Sequence, residues 1–167
     1  MRQHLLPVVV ATCLLFGARL PVQAQSVLAT PSSGVLTLKG RLAHPRSISL
    51  AELEAMPAVT VEISHAGHND AQTSRYTGVL LWTLVKAAEP VDENGPRTHL
   101  QHIFRAIGQD GYSVALAIGE VEPDFEGKQV LVAYAQDGQA LTTLKLVVPA
   151  DAKAGRTVRD LITIDVN

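Results

Sequence analysis

The chain of 167 residues holds one cysteine, only 4% aromatics and no apolar run of bilayer length. One cysteine excludes an intramolecular disulfide and any zinc or iron–sulfur site built on several thiolates. Lys and Arg number 14 against 16 Asp and Glu, and a formal charge of -2 lacks the basic footprint of a nucleic-acid binder. There is no internal repeat and no low-complexity tract, which excludes a solenoid or a fibrous chain. A Gly-rich phosphate loop, a G-x-S-x-G elbow and an H-E-x-x-H pair are also missing. What is present is 47% apolar and 18% charged residues, the composition of one ordinary globular domain.

The N-terminus has the order of a secretory signal. Arg2 precedes the apolar run Leu5 to Phe16, and Pro21-Val22-Gln23-Ala24 ends in small or medium residues suited to cleavage after Ala24. The run is too short for a membrane span, which takes roughly 20 apolar residues. Cys13 sits inside it, after Thr12 rather than after a small residue, so a lipoprotein anchor is not expected. Removal of 24 residues leaves 143, with 12 basic and 16 acidic side chains and no cysteine. The expectation is a periplasmic or secreted, thiol-free protein with no membrane span in its mature chain. Such a length buries about two-thirds of its unfolded surface, enough for a core without disulfides.

Residues 25–34 form a polar lead-in expected to be mobile, and residues 35–167 carry the domain. Val35 to Lys39 and Val59 to Ile63 alternate at period two and read as strands. Between them Ser49-Leu50-Ala51-Glu52 is a capping box, with Ile48 placed to staple onto Leu53, and Pro57 ends the short helix. Leu80, Leu81, Leu84, Val85 and Ala88 repeat at helical spacing and predict a helix over about 79–88. Beyond the charged loop 89–98 the chain is strand-rich. His102 to Gly108 and Tyr112 to Ile118 flank Asp110-Gly111; Val130 to Ala135 leads into Asp137-Gly138; Leu144 to Val148 and Leu161 to Val166 suit central strands. Two or more short helices among about seven strands predict a single α+β domain with mixed β-sheets.

The densest polar cluster is His65-Ala66-Gly67-His68-Asn69-Asp70, following a strand. His65 and His68 could hold a divalent metal such as zinc or copper; a solvated loop is the commoner fate of a lone H-x-x-H. His99 and His102 share that spacing, but on a strand they would face opposite sides, so a chelating pair there would need loop geometry. Glu120, Glu122 and Asp124 around Pro123 read as a solvated turn. Lys153, Arg156 and Arg159 form a small basic group that suits either an anionic phosphate or a charged surface loop.

Taken in order, several segments resemble the molybdopterin-binding domain of the sulfite oxidase family and its small bacterial relatives. They are Leu36-Thr37-Leu38-Lys39-Gly40 with Ile48 to Leu53 and Met56-Pro57; Tyr76-Thr77-Gly78-Val79-Leu80-Leu81; and Gln109-Asp110-Gly111-Tyr112-Ser113. Val130 to Tyr134 with Asp137 to Leu141, and Leu146 to Pro149 with Gly155-Arg156-Thr157-Val158-Arg159 and Ile162 to Ile164, complete the set. The resemblance covers nearly all of residues 35–166 and rests on the ordered set rather than on any one piece. It implies an α+β, sulfite-oxidase-type molybdopterin-binding fold whose cleft holds a molybdenum–pterin cofactor for two-electron oxygen-atom transfer.

The resemblance also assigns residues. A Cys-Ala-Gly-Asn-like loop supplies the metal's thiolate in the family; here it reads His65-Ala66-Gly67-His68-Asn69, so His65 stands at the thiolate position. Imidazole is a neutral donor and would change the charge and potential of the metal. A family arginine also appears changed, with Lys145 nearby, while Arg156 and Arg159 match basic residues that approach the pterin phosphate. The implied cofactor-binding set is therefore His65, His68, Asn69, Arg156 and Arg159, and no catalytic residue is assigned. Two functional classes follow: an exported molybdopterin-binding oxidoreductase-like domain, degenerate at its metal ligand, or a non-catalytic periplasmic binding module. The module would take a small anionic ligand, a divalent metal through His65 and His68, or a partner protein.

Overall fold

Hydrophobic alternation in this chain builds two sheets. A computed structural model describes residues 34–66, 71–95 and 98–167. The expected signal over residues 1–24, residues 25–33 of the lead-in, and His68 and Asn69 lie outside the described residues. The first sheet contains β1 (Val35–Gly40), β2 (Arg46–Ser49), β5 (Ile103–Gly108), β6 (Ser113–Ala117) and β9 (Leu161–Val166), in the order β2-β1-β9-β5-β6. β1 and β9 run parallel and the other neighbours antiparallel, so the sheet is mixed. The second sheet is antiparallel, ordered β3 (Val59–Ala66), β4 (Ala71–Leu80), β7 (Leu131–Gln136), β8 (Gln139–Val147). Helices α1 (Leu50–Glu54), α2 (Leu81–Ala88) and α3 (Ile118–Val121), with 3-10 turns at Thr98–Gln101 and Ala154–Arg156, complete the described elements. The fold is α+β with mixed sheets and short helices, as expected.

The main core joins both sheets and the helices. Leu36, Leu38, Phe104, Leu116 and Ile164 from the first sheet meet Val79, Val132, Leu144 and Leu146 from the second, with Leu53, Leu81, Leu84 and Val85 from α1 and α2. Each such side chain removed from water contributes roughly 1.5–3 kcal/mol. Val61, Ile63, Tyr76, Leu131, Ala133 and Val147 form a second cluster, on the opposite face of the second sheet by the alternation of side chains along a strand. β7 is therefore buried on both faces, which explains the unbroken apolar run Val130 to Ala133.

Local chemistry sets the joints. Ser49 caps α1: its hydroxyl accepts from the Glu52 amide at 3.3 Å, while Glu52 accepts from the Ser49 amide at 2.8 Å. Asp137 and Gly138 have φ of 51° and 79°, which suits the two-residue hairpin between β7 and β8. At Gly78 the ladder between β4 and β7 shifts register, and a Cβ there would lie 2.1 Å from the Val132 carbonyl oxygen.

The structure differs from expectation in two strands and one helix start. β4 is a full strand over residues that no apolar alternation marks; Thr73 and Thr77 hydrogen-bond across to Ser64 and Thr60 at 2.7 and 2.9 Å, so hydroxyl pairs replace apolar ones. β2 is only four residues long and lies at a sheet edge. Helix α2 begins at Leu81 rather than Val79, because Val79 and Leu80 pair with Val132 and Leu131.

Candidate functional site

β3 extends past Ile63 to Ala66, so the His65 backbone pairs with Gln72 inside a strand rather than starting a loop. The His65 side chain, like all of His68 and Asn69, lies outside the described residues. The β3–β4 hairpin thus carries the expected metal-ligand position at its far end.

Arg156 closes the 3-10 turn Ala154–Arg156 and is held within the chain. Its Nε and Nη2 donate to the two Asp151 carboxylate oxygens at 2.8 and 2.6 Å, and its Nη1 donates to Glu120 Oε2 at 2.7 Å. Bonding to Asp151 first and Glu120 second pushes the guanidinium pKa up. Burial works against the Glu120 charge, but donation from Arg156, the Ala117 amide and Lys128 holds its carboxyl below the usual range. Glu120 is not on a solvated turn; it is the part-buried hub of an ion-pair network. Arg156 spends three donors inside that network.

Arg159 is different. It is exposed, makes no hydrogen bond or ion pair among the described residues, and lines an open cavity of about 310 Å³ with Asp110, Tyr112, Ala154 and Thr157. Near it on the second sheet lies half-buried Lys145, which has no carboxylate within 4.0 Å among the described residues. Lys145 Nζ donates to Gln136 Oε1 at 3.1 Å and sits 5.0 Å from the centre of the Tyr76 ring. Burial, then repulsion from Arg159, lowers the Lys145 pKa against an opposing pull from Asp160, while burial and Asp137 raise that of Tyr76. Tyr76, Gln136 and Lys145 come from the adjacent strands β4, β7 and β8, so the sheet itself fixes their spacing. Two neighbouring cations, neither in a direct ion pair among the described residues, make a face suited to an anion, although Asp160 offsets part of the charge at Lys145. Lys145 and Arg159 are brought together; Arg156 is turned to other work.

A second cluster was weakly marked in the sequence. His99 lies on the 3-10 turn Thr98–Gln101 and His102 just after it, so their three-residue spacing converges instead of diverging. His102 is 2% exposed. Its Nε2 lies 2.9 Å from Asp92 Oδ1, and its Nδ1 lies 3.4 Å from the main-chain oxygen of Asn167. His99 Nδ1 lies 3.4 Å from the same Asp92 oxygen, and its Nε2 lies 2.9 Å from Glu122 Oε2. Glu122 too is largely buried rather than solvated. Only the H-x-x-H spacing could have pointed here, and it needed the 3-10 turn to become meaningful.

Comparison with known proteins follows from this geometry. The profile of the family described as oxidoreductase molybdopterin binding domain matches residues 24–150. That span includes His65, Tyr76 and Lys145 and stops before Arg156 and Arg159. Among solved structures, the chain is similar to the sulfane dehydrogenase SoxCD from Paracoccus pantotrophus. The TM-score is 0.65 at 16% identity over 82% of this chain. The match takes in 39% of the dehydrogenase chain, so this chain spans about two-fifths of it, and at that identity the likeness establishes the fold. A search of curated proteins finds no match.

Proposed function

This chain belongs to the oxidoreductase molybdopterin binding domain family, and from that premise we propose that it is an exported member, degenerate at its metal ligand, that binds an anionic ligand without redox catalysis. The fit of the family cofactor is divided. The expected thiolate position holds His65, and the one cysteine, Cys13, falls in the leader run. A thiolate-held molybdenum does not fit that donor set, so no oxidation step is assigned. The anionic end fits better: a phosphate would find Lys145 within the field of Arg159, with the Tyr76 ring 5.0 Å from the ammonium.

The observation that carries this reading is half-buried Lys145, a cation repelled by Arg159 that forms no direct ion pair among the described residues and has Asp160 only beyond ion-pair distance. Taking a charge out of water with its counter-charge only beyond ion-pair distance is costly, and a bound anion lowers that cost. Export is supported by the order of charge, apolar run and small residues over 1–24. A fold does not fix a chemistry, and here the residue that the chemistry most needs has been exchanged.

The test is to purify the mature protein from its export compartment and measure molybdenum by elemental analysis and pterin by fluorescence. A phosphate titration by calorimetry accompanies it. The expected result is a metal-poor protein that binds phosphate and loses that binding in Lys145→Gln. Stoichiometric molybdenum would overturn the degenerate reading, and phosphate affinity unchanged by Lys145→Gln would overturn the anion site.

A further inference from the structure

We propose that Asp92, His99 and His102 bind one divalent transition-metal ion of the zinc type, with Glu122 and the Asn167 main-chain oxygen orienting the two imidazoles. The donor atoms of the three ligands lie within 4.8 Å of one another. A tetrahedral zinc site with bonds of about 2.0–2.1 Å separates its ligand atoms by roughly 3.3 Å. Asp92 Oδ1 stands 3.4 Å from His99 Nδ1 and 2.9 Å from His102 Nε2, so small shifts open the cluster around an ion. The two rings are edge-on, 81° apart with centroids at 6.0 Å, and so do not stack.

Proton counting argues for a cation at the centre. Four ring nitrogens face three acceptor groups: Asp92, which meets both rings, Glu122, and the Asn167 oxygen. Carboxylates and main-chain oxygens only accept, while two neutral imidazoles together carry two N–H groups. Two Nε2–H groups serve the 2.9 Å contacts to Glu122 and Asp92, which leaves the 3.4 Å approaches of His99 Nδ1 to Asp92 and of His102 Nδ1 to Asn167 without a proton. One divalent ion between the inner nitrogens and Asp92 converts such unprotonated approaches into shared ligation. The ion neutralises the two carboxylates and leaves each outer N–H on its own acceptor, an arrangement that fixes tautomer and ring orientation in metal sites. His102 is buried and held by the end of β9, whereas Asp92 and His99 are partly exposed, so a fourth position can reach solvent.

This site is separate from the anion-binding face: it lies beside β5 and α3, while Lys145 is on β8 of the other sheet. The test is equilibrium dialysis of the mature chain against zinc, with bound metal read by elemental analysis and stability by thermal unfolding. One zinc per chain is expected, with a raised midpoint that chelator reverses. Asp92→Asn combined with His99→Gln changes only partly exposed side chains and is expected to weaken binding at least 100-fold; Glu122→Gln should cost roughly 10- to 100-fold with unchanged circular dichroism. His65→Ala with His68→Ala should leave zinc binding intact. No zinc at one equivalent, affinity unmoved by the Asp92/His99 pair, or binding lost with His65 and His68 would each overturn the proposal. None of these outcomes bears on phosphate at Lys145, so the two readings fail separately.

Discussion

Arg156 grips both carboxylate oxygens of Asp151 and, with its remaining nitrogen, Glu120 on α3 thirty-six positions earlier in the chain. The guanidinium thereby ties the 3-10 turn before β9 to the helix after β6. Replacing Arg156 with Ala leaves two part-buried carboxylates short of donors. The expected loss is about 2 kcal/mol, the scale of hydrogen bonds to charged groups. Arg156→Lys should recover only part, since a single ammonium cannot reproduce the fork. Urea unfolding with an unchanged m-value checks this. Phosphate affinity, in contrast, should not follow Arg156 once the protein is folded.

Gly78→Ala tests the joint between β4 and β7. The added methyl would meet the Val132 carbonyl oxygen at 2.1 Å and the Ala133 Cα at 2.6 Å, both backbone atoms in a buried strand. Backbone cannot step aside as a side-chain tip can, so the expected cost is about 3 kcal/mol, at the upper end for overpacking. Gly119→Ala is the control, because nothing lies within 4 Å of the Cβ it would gain. Its denaturation midpoint should stay close to that of the parent.

These two sites show what the sequence could and could not announce. Ser49 with Glu52, and Asp137 with Gly138, are local chemistry: the partners lie within three residues, so their pattern is visible in the chain itself. Arg156 meets Glu120 only because two distant segments are folded together, and composition could offer no more than a basic group. Strand β4 hid behind Gln72-Thr73-Ser74-Arg75, where Thr73 meets Ser64, Ser74 accepts from Gln136 and Arg75 pairs with Glu62 on the neighbouring strands. On a strand His99 and His102 would face apart; the 3-10 turn that joins them depends on the loop from Asp92, where Thr98 donates to the Glu93 carbonyl at 2.7 Å. Lys145 stands near the place of a family arginine, but its burial without a direct ion pair among the described residues is a property of the folded sheet.

Acid should expose the Glu120 network. Its folded pKa is lowered, despite burial, by Arg156, the Ala117 amide and Lys128. A carboxylate of that kind contributes stability above its unfolded pKa of about 4.3 and loses it as the pH falls through the lower folded value. The prediction is a stability decline that begins below about pH 5 and continues through that window. In Glu120→Gln the decline should be shallower, while stability at neutral pH is already reduced. Denaturant midpoints measured from pH 7 downward decide it; parallel profiles for parent and variant would remove Glu120 from the account.

Lys145 gives a prediction of the same sign at high pH. Its folded pKa is lowered by burial and then by Arg159. The folded state thus binds the Lys145 proton less firmly than the unfolded chain does, and stability should rise with pH between that lowered value and the ordinary value of about 10.4. A phosphate at Lys145 and Arg159 favours the charged ammonium and raises its pKa again. Phosphate affinity should therefore be full below the free protein's Lys145 pKa and weaken as the pH climbs through it. Arg159, permanently charged, keeps some binding above that point. In Lys145→Gln the affinity should be lower at neutral pH and flat across the range, whereas Arg159→Ala should lower the affinity yet keep the slope. Calorimetric titrations at several pH values separate the two cations, and a slope that survives in Lys145→Gln would place the titrating group elsewhere.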